Sequence, residues 1–209
     1  MTNSKLDNFA EKLDRDWAWR IREIVSHTLL LSNADSHQET LLAKLGVILL
    51  YSHWEGFVKN ATKEYLLIFS RDDMKSVSPH VQAVFFLKHL QKNQYVNVDY
   101  KLAIESVERI SRCDIVATRE IKDVVNVKSN LNASVFKDLL SIVNVDDDFI
   151  ELKSNYIDRE FVGVRHAVAH GSHRVISKDG YTELKEVILK LIEMFKSFIV
   201  DSASRHIVT

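Results

Sequence analysis

An all-α fold, a bundle of about six to seven helices, is predicted by three observations in this 209-residue sequence. Helix breakers are scarce: there are five Gly and one Pro, where average usage gives roughly 25. The tight turns of a β-sandwich or a wound α/β sheet need those residues. Apolar residues recur at steps of three and four over most of the chain. Residues that start and stop helices sit at the ends of these runs. No repeat, low-complexity stretch or Gly/Ser/Pro-rich linker interrupts the chain, so residues 1–209 are read as a single domain.

The first helix is carried by Leu6, Phe9, Leu13, Trp17, Ile21, Ile24, Val25 and Thr28, and ends near Ser32–Asp35. Ser36 followed by Glu39 matches a capping box, which starts a second long helix near His37. Its apolar positions are Leu41, Leu45, Ile48, Leu49, Phe57, Val58, Ala61, Tyr65 and Phe69. Ser78-Pro79 starts a third helix, to about residue 91. Residues 99–112 read as a fourth, and 114–130, rich in Val and Ile, as helix or extended chain. Asn132 caps a short helix through Val143, and Asp146–Asp148 break the pattern as a solvated loop. A helix from about Ser154 stops at Gly171, a natural C-terminal stop. Asp179-Gly180 reads as a turn before a last helix, Thr182 to about Ala203, with Leu184, Ile188, Leu191, Ile192, Phe195 and Phe198 inward.

Composition excludes several function classes. Apolar residues are 46% and charged residues 27%, ordinary for a globular protein and too apolar for a disordered chain. With 28 basic and 29 acidic side chains the net charge is -1. This excludes a strongly basic nucleic-acid coat but leaves room for a local basic patch. The single cysteine, Cys113, allows neither an internal disulfide nor a four-cysteine metal site, and reads as a small buried apolar residue. The first residues lack a secretory signal, and the most apolar run, Leu45–Tyr51, is far shorter than a membrane span. The expectation is a cytoplasmic protein without a membrane partner. Glycine-rich phosphate loops, serine-nucleophile elbows and dinucleotide fingerprints are missing, against kinases, α/β-hydrolases and NAD enzymes.

The chemistry concentrates in Arg165-His166-Ala167-Val168-Ala169-His170-Gly171. A helix flanked by Phe161, Val162, Val164 and Val168 should be largely buried, yet it holds one Arg and two His. Such groups are costly to bury unless they are paired or face a cleft. A guanidinium fork matches phosphate, and an imidazole exchanges a proton near neutral pH. Arg165 and His170 lie five residues apart, about 140° of rotation and about 7.5 Å of rise, so spacing alone does not bring them together.

An Arg, a polar residue and a His before Gly, closing a late helix, resembles the R-x4–6-H motif of the HEPN superfamily. Tyr51-Ser-His-Trp-Glu-Gly-Phe-Val-Lys59 on the second helix, and Ser129-Asn130-Leu131 before the short helix and acidic loop, resemble HEPN-like nucleases of bacterial conflict systems. The resemblance spans about residues 45–175. The residue after the Arg is more often Asn in such proteins; here it is His166. The resemblance implies a metal-independent endoribonuclease needing no cofactor, acting on RNA as a homodimer with a composite site. His170 would be the general acid or base and Arg165 the phosphate clamp, supported by His166, His173, Arg174, Glu55 and Asn130. It also implies a toxin or phage-defence role, with an antitoxin or regulatory partner. A non-catalytic module of the same fold, binding a nucleotide, RNA or a protein, is the second reading.

Plainer roles stand beside these. Arg165 can pair with Asp158 or Glu160, and His170 can complement the helix dipole as a C-terminal cap. His166 and His170 have metal-ligand spacing; no third ligand is obvious, although His173 and the acidic loop could supply one, and metal binding is not expected. His173 and Arg174 can be solvated loop residues, and Glu55 can pair with Lys59 on the surface. Tyr51 and Trp54 read as packing residues, and Asn130 as a turn or cap.

Overall fold

Three long helices make the frame. The computed structural model describes residues 2–69, 78, 80, 81, 84, 125, 130–172 and 174–207. Helix α1 is Thr2–Ser32 and α2 is Ser36–Phe69. Then come α3, Ala133–Ile142, the single turns α4, Asp148–Glu151, and α5, Ser154–Tyr156. A π-helical turn, Ile157–Val162, leads from α5 into α6, Gly163–Ala169, and α7 is Lys178–Ile207. No strand occurs among the described residues, so the all-α expectation holds. Helices α1, α2 and α7 pack against one another, and the α5–α6 segment lies on α2.

The core forms where their apolar stripes meet. Phe9, Leu13, Trp17 and Ile24 of α1, Leu50, Trp54, Phe57 and Tyr65 of α2, and Ile188, Ile192 and Phe195 of α7 are buried. Edge-to-face rings knit them: Trp54 lies 4.6 Å from Phe136, which lies 5.4 Å from Phe195. Trp54 is therefore the packing residue the sequence suggests. By length and composition α2 would pass for a membrane span, and half of that apolar window is buried in the bundle.

Several boundaries and faces differ from the sequence reading. The N-cap of α2 is Asp35, whose carboxylate accepts the backbone N–H groups of His37 and Gln38, both at 2.9 Å. The cap thus falls one residue before Ser36, where a carboxylate also complements the helix dipole. Val25, Leu41 and Leu45 are exposed, not core. Asp179-Gly180 is no turn: Ser177 Oγ accepts the Gly180 N–H at 3.1 Å, so α7 begins at Lys178 with Asp179 in its first turn. Asn132 caps α3 as expected, accepting from the Val135 N–H at 2.9 Å. Asp146–Asp148 is an exposed run held in part by Lys137, whose Nζ is 2.9 Å from Asp147, and it leads into α4.

Of the helix expected from Ser78, the described part agrees: Ser78 Oγ lies 3.4 Å from the Val81 N–H it accepts. The rest of that helix, residues 99–112, Cys113, most of 114–130 and Ser129 lie outside the described residues, as does His173.

Candidate functional site

Helix α2 carries Tyr51 and Glu55 one turn apart, so both project from one face. The Tyr51 hydroxyl donates to Glu55 Oε2 at 2.7 Å and accepts the Leu131 N–H at 2.7 Å. Asn130 Oδ1 lies 3.4 Å from the same hydroxyl. Burial, then the bond to Glu55, push the Tyr51 pKa up, so the hydroxyl keeps its proton. The residue is almost wholly buried, with its ring 5.6 Å from Phe161.

The other wall is the helix of 154–169. Its π-turn is defined by the Gly163 N–H bonding the Asp158 carbonyl, five residues back. A Cβ at Gly163 would lie 3.1 Å from that carbonyl oxygen. The extra residue resets the register of everything after it, and α6 delivers Arg165 over α2. The Arg165 guanidinium carbon stands 4.3 Å from the Tyr51 ring centroid, within the range of a cation–π contact.

The acids expected to neutralise Arg165 are engaged elsewhere. Asp158 Oδ1 accepts the Ala133 N–H at 2.7 Å, and Glu160 faces Arg174 at 3.6 Å. Arg165 makes no ion pair among the described residues, so its charge stays uncancelled and half-exposed. Tyr51 therefore joins three of the named residues, Arg165, Glu55 and Asn130, around one ring.

His170 closes α6. The Gly171 N–H bonds the Val168 carbonyl at 3.1 Å and the Ser172 N–H bonds the Ala167 carbonyl at 2.9 Å. With Gly171 at φ 71°, this is a Schellman stop. His170 is the capping residue itself, exposed, with its ring 4.2 Å from that of His166. No hydrogen bond, ion pair or ring contact joins His170 to Arg165 among the described residues. In one chain, then, the cation and the imidazoles form two adjacent groups on α6. The sequence reading corrects at Glu55, which bonds Tyr51 and makes no ion pair with Lys59. Asn130 lies beside Tyr51, its backbone carbonyl accepting the Asn132 N–H at 2.9 Å, while Asn132 caps α3. Arg174 is exposed outside the helices, as expected, and faces Glu160 at 3.6 Å.

The residue missed by sequence reasoning is Tyr51 as the polar hub. Its spacing four before Glu55 was the available signal.

The family model described as RiboL-PSP-HEPN matches residues 15–201. No curated protein and no solved structure matches the chain.

Proposed function

The chain belongs to the RiboL-PSP-HEPN family, and on that premise we propose that it is a metal-independent endoribonuclease. At family level it is a nuclease or RNA-binding module of the HEPN kind; the cleavage chemistry is our reading. The observation that carries it is the Arg165 guanidinium, set over the Tyr51 ring and without a carboxylate partner among the described residues. A cation held this way presents donors and full charge to a phosphodiester.

The RNA 2′-hydroxyl attacks the adjacent phosphorus in line. His170 removes the 2′ proton, the bond from phosphorus to the 5′ oxygen breaks, and a protonated imidazole returns a proton to that oxygen. The products are a 2′,3′-cyclic phosphate and a 5′-hydroxyl. Arg165 offsets the extra charge of the transition state. No hydrogen bond, ion pair or ring contact joins His170 to Arg165 among the described residues, and in this reading a second copy completes the cleft and supplies the second imidazole. His166 packs its ring against that of His170, 4.2 Å between centroids, and holds it at the end of the helix. A toxin or phage-defence effector restrained by a partner protein fits such an activity.

The test is RNA cleavage in EDTA by the wild-type chain, by Arg165→Ala and by His170→Ala. The expected result is cyclic-phosphate ends from the wild type and none from either variant. Failure of a folded, dimeric wild type on structured and unstructured RNAs would replace this reading with the non-catalytic binding module.

A further inference from the structure

One turn along α2 from Tyr51, at Val47, begins a cavity of about 400 Å³. That volume lies in the range of small-molecule sites, about 300–1,000 Å³. Val47, Val164 and Leu184 give it an apolar floor. Val164 is the chain neighbour of Arg165, and Val47 to Tyr51 is a rise of about 6 Å. The floor therefore lies within reach of a base whose phosphate rests on Arg165.

The rim carries Tyr156, Glu160, Arg174 and Glu183. Burial raises the proton affinity of the half-buried Tyr156 hydroxyl, and both glutamates, which line the same cavity, add to the effect. Glu160 is held by Arg174 at 3.6 Å. Glu183 is exposed and makes no ion pair among the described residues. Two carboxylates against one guanidinium leave the rim net negative, so it repels a phosphate and admits a neutral heterocycle. A carboxylate accepts and never donates when ionised. Guanine alone among the RNA bases offers two adjacent N–H donors, N1 and N2, on its Watson–Crick edge; adenine and cytosine offer one amino group beside an acceptor, and uracil one imino group between two.

We propose that this cavity is a guanine subsite, with Glu183 accepting N1–H and N2–H of a base next to the phosphate on Arg165. The placement of that phosphate rests on the ribonuclease reading; recognition of the base does not. Two measurements on the full chain separate them. The first is calorimetric binding of GMP, AMP, CMP and UMP to the wild type and to Glu183→Gln, an exposed isosteric change. GMP is expected to bind the tightest, and Glu183→Gln to weaken it by about tenfold while leaving AMP unchanged. The second maps cleavage on an RNA containing every dinucleotide. Wild-type cuts should share a guanine at one fixed position, and Glu183→Gln should lose that preference while still cutting. Equal binding of the four nucleotides, or cleavage indifferent to guanine, overturns the subsite and leaves the ribonuclease reading intact. GMP binding without RNA cleavage overturns that reading and leaves a site for a free guanine nucleotide.

Discussion

Arg165 stands over the face of Tyr51, 4.3 Å from the ring centroid to the guanidinium carbon. A carboxylate would fix the guanidinium as firmly, but it would cancel the charge that a phosphodiester needs. The aromatic face orients the cation and leaves its five N–H donors to a ligand. Tyr51 is fixed in turn at its far end, by Glu55 and the Leu131 N–H.

Two substitutions separate the ring from its hydroxyl. Tyr51→Phe keeps the platform and leaves the buried Leu131 N–H without its acceptor, a cost of about 1–3 kcal/mol. It should lower the melting temperature and spare much of the RNA cleavage. Tyr51→Leu removes the platform, and cleavage by the folded variant should fall much further. Equal loss of cleavage in the two variants would mean that the hydroxyl network, and not the ring, orients Arg165.

Arg165→Ala should be a nearly clean loss of function. The side chain is half-exposed and makes no ion pair among the described residues, so the variant forfeits the cation–π contact, about 0.5–2 kcal/mol. Urea denaturation should show a loss no greater than this. A larger drop would identify Arg165 as a structural residue and withdraw the main support for its role at phosphate.

Stability should fall on mild acidification. His53 is buried in the α1–α2 seam, and its proton affinity is lowered by burial and then by Arg20, against smaller opposing effects of Glu23 and Asp16. Burial also lowers His27. It lowers His206 as well, where His80 and Arg205 add to the effect. The unfolded chain takes up protons at about 6.5, the ordinary imidazole value, while the folded chain holds these rings neutral to lower pH. The unfolded state thus binds more protons, so stability is full above about 6.5 and declines as the pH drops below it. Urea midpoints at pH 7.5, 6.5 and 5.5 should fall in that order, and His53→Gln should flatten the decline. A profile unchanged between 7.5 and 5.5 would contradict the burial of these imidazoles.

Gly46→Ala should be among the more damaging single-methyl additions to α2. A Cβ there would lie 2.4 Å from His27 Cε1 and 2.6 Å from Tyr181 Cε2. Both belong to buried rings packed edge to face, 5.3 Å between centroids. Neither ring can yield as a flexible tip can, and overpacking of this kind costs about 1–3 kcal/mol. A thermal melt unchanged by the substitution would show that α1 and α7 do not approach α2 this closely.

What could be read from the residues divides along physical lines. Periodicity located α1, α2 and α7, because burying a stripe on a helix demands it. It misplaced Val25, Leu41 and Leu45 because those helices are apolar on more than one face, and only the partner decides which stripe is inside. Asp179-Gly180 looked like a turn, and Ser177, which starts the helix before it, outweighed that local preference. The π-turn has no sequence signature, being a hydrogen-bond register set by packing. That register aims Arg165 at Tyr51, so the R-x4-H string was legible while its platform was not.

The end of the motif helix gives the sharpest backbone test. Gly171 has φ 71° and a Cβ there would meet nothing within 4 Å, so space is not what selects glycine. The left-handed conformation selects it, at about 1–2 kcal/mol for an ordinary L-residue. Gly171→Ala should therefore destabilise by about that much, while Gly171→Asn, which tolerates this conformation, should recover most of the loss. Because the same stop sets His170 against His166, Gly171→Ala should also reduce RNA cleavage at temperatures where it remains folded, and Gly171→Asn should restore it. If Ala and Asn proved equally costly, the conformation would not be the cause. If Ala lowered stability and left cleavage untouched, the position of His170 at the helix end would not matter to the chemistry.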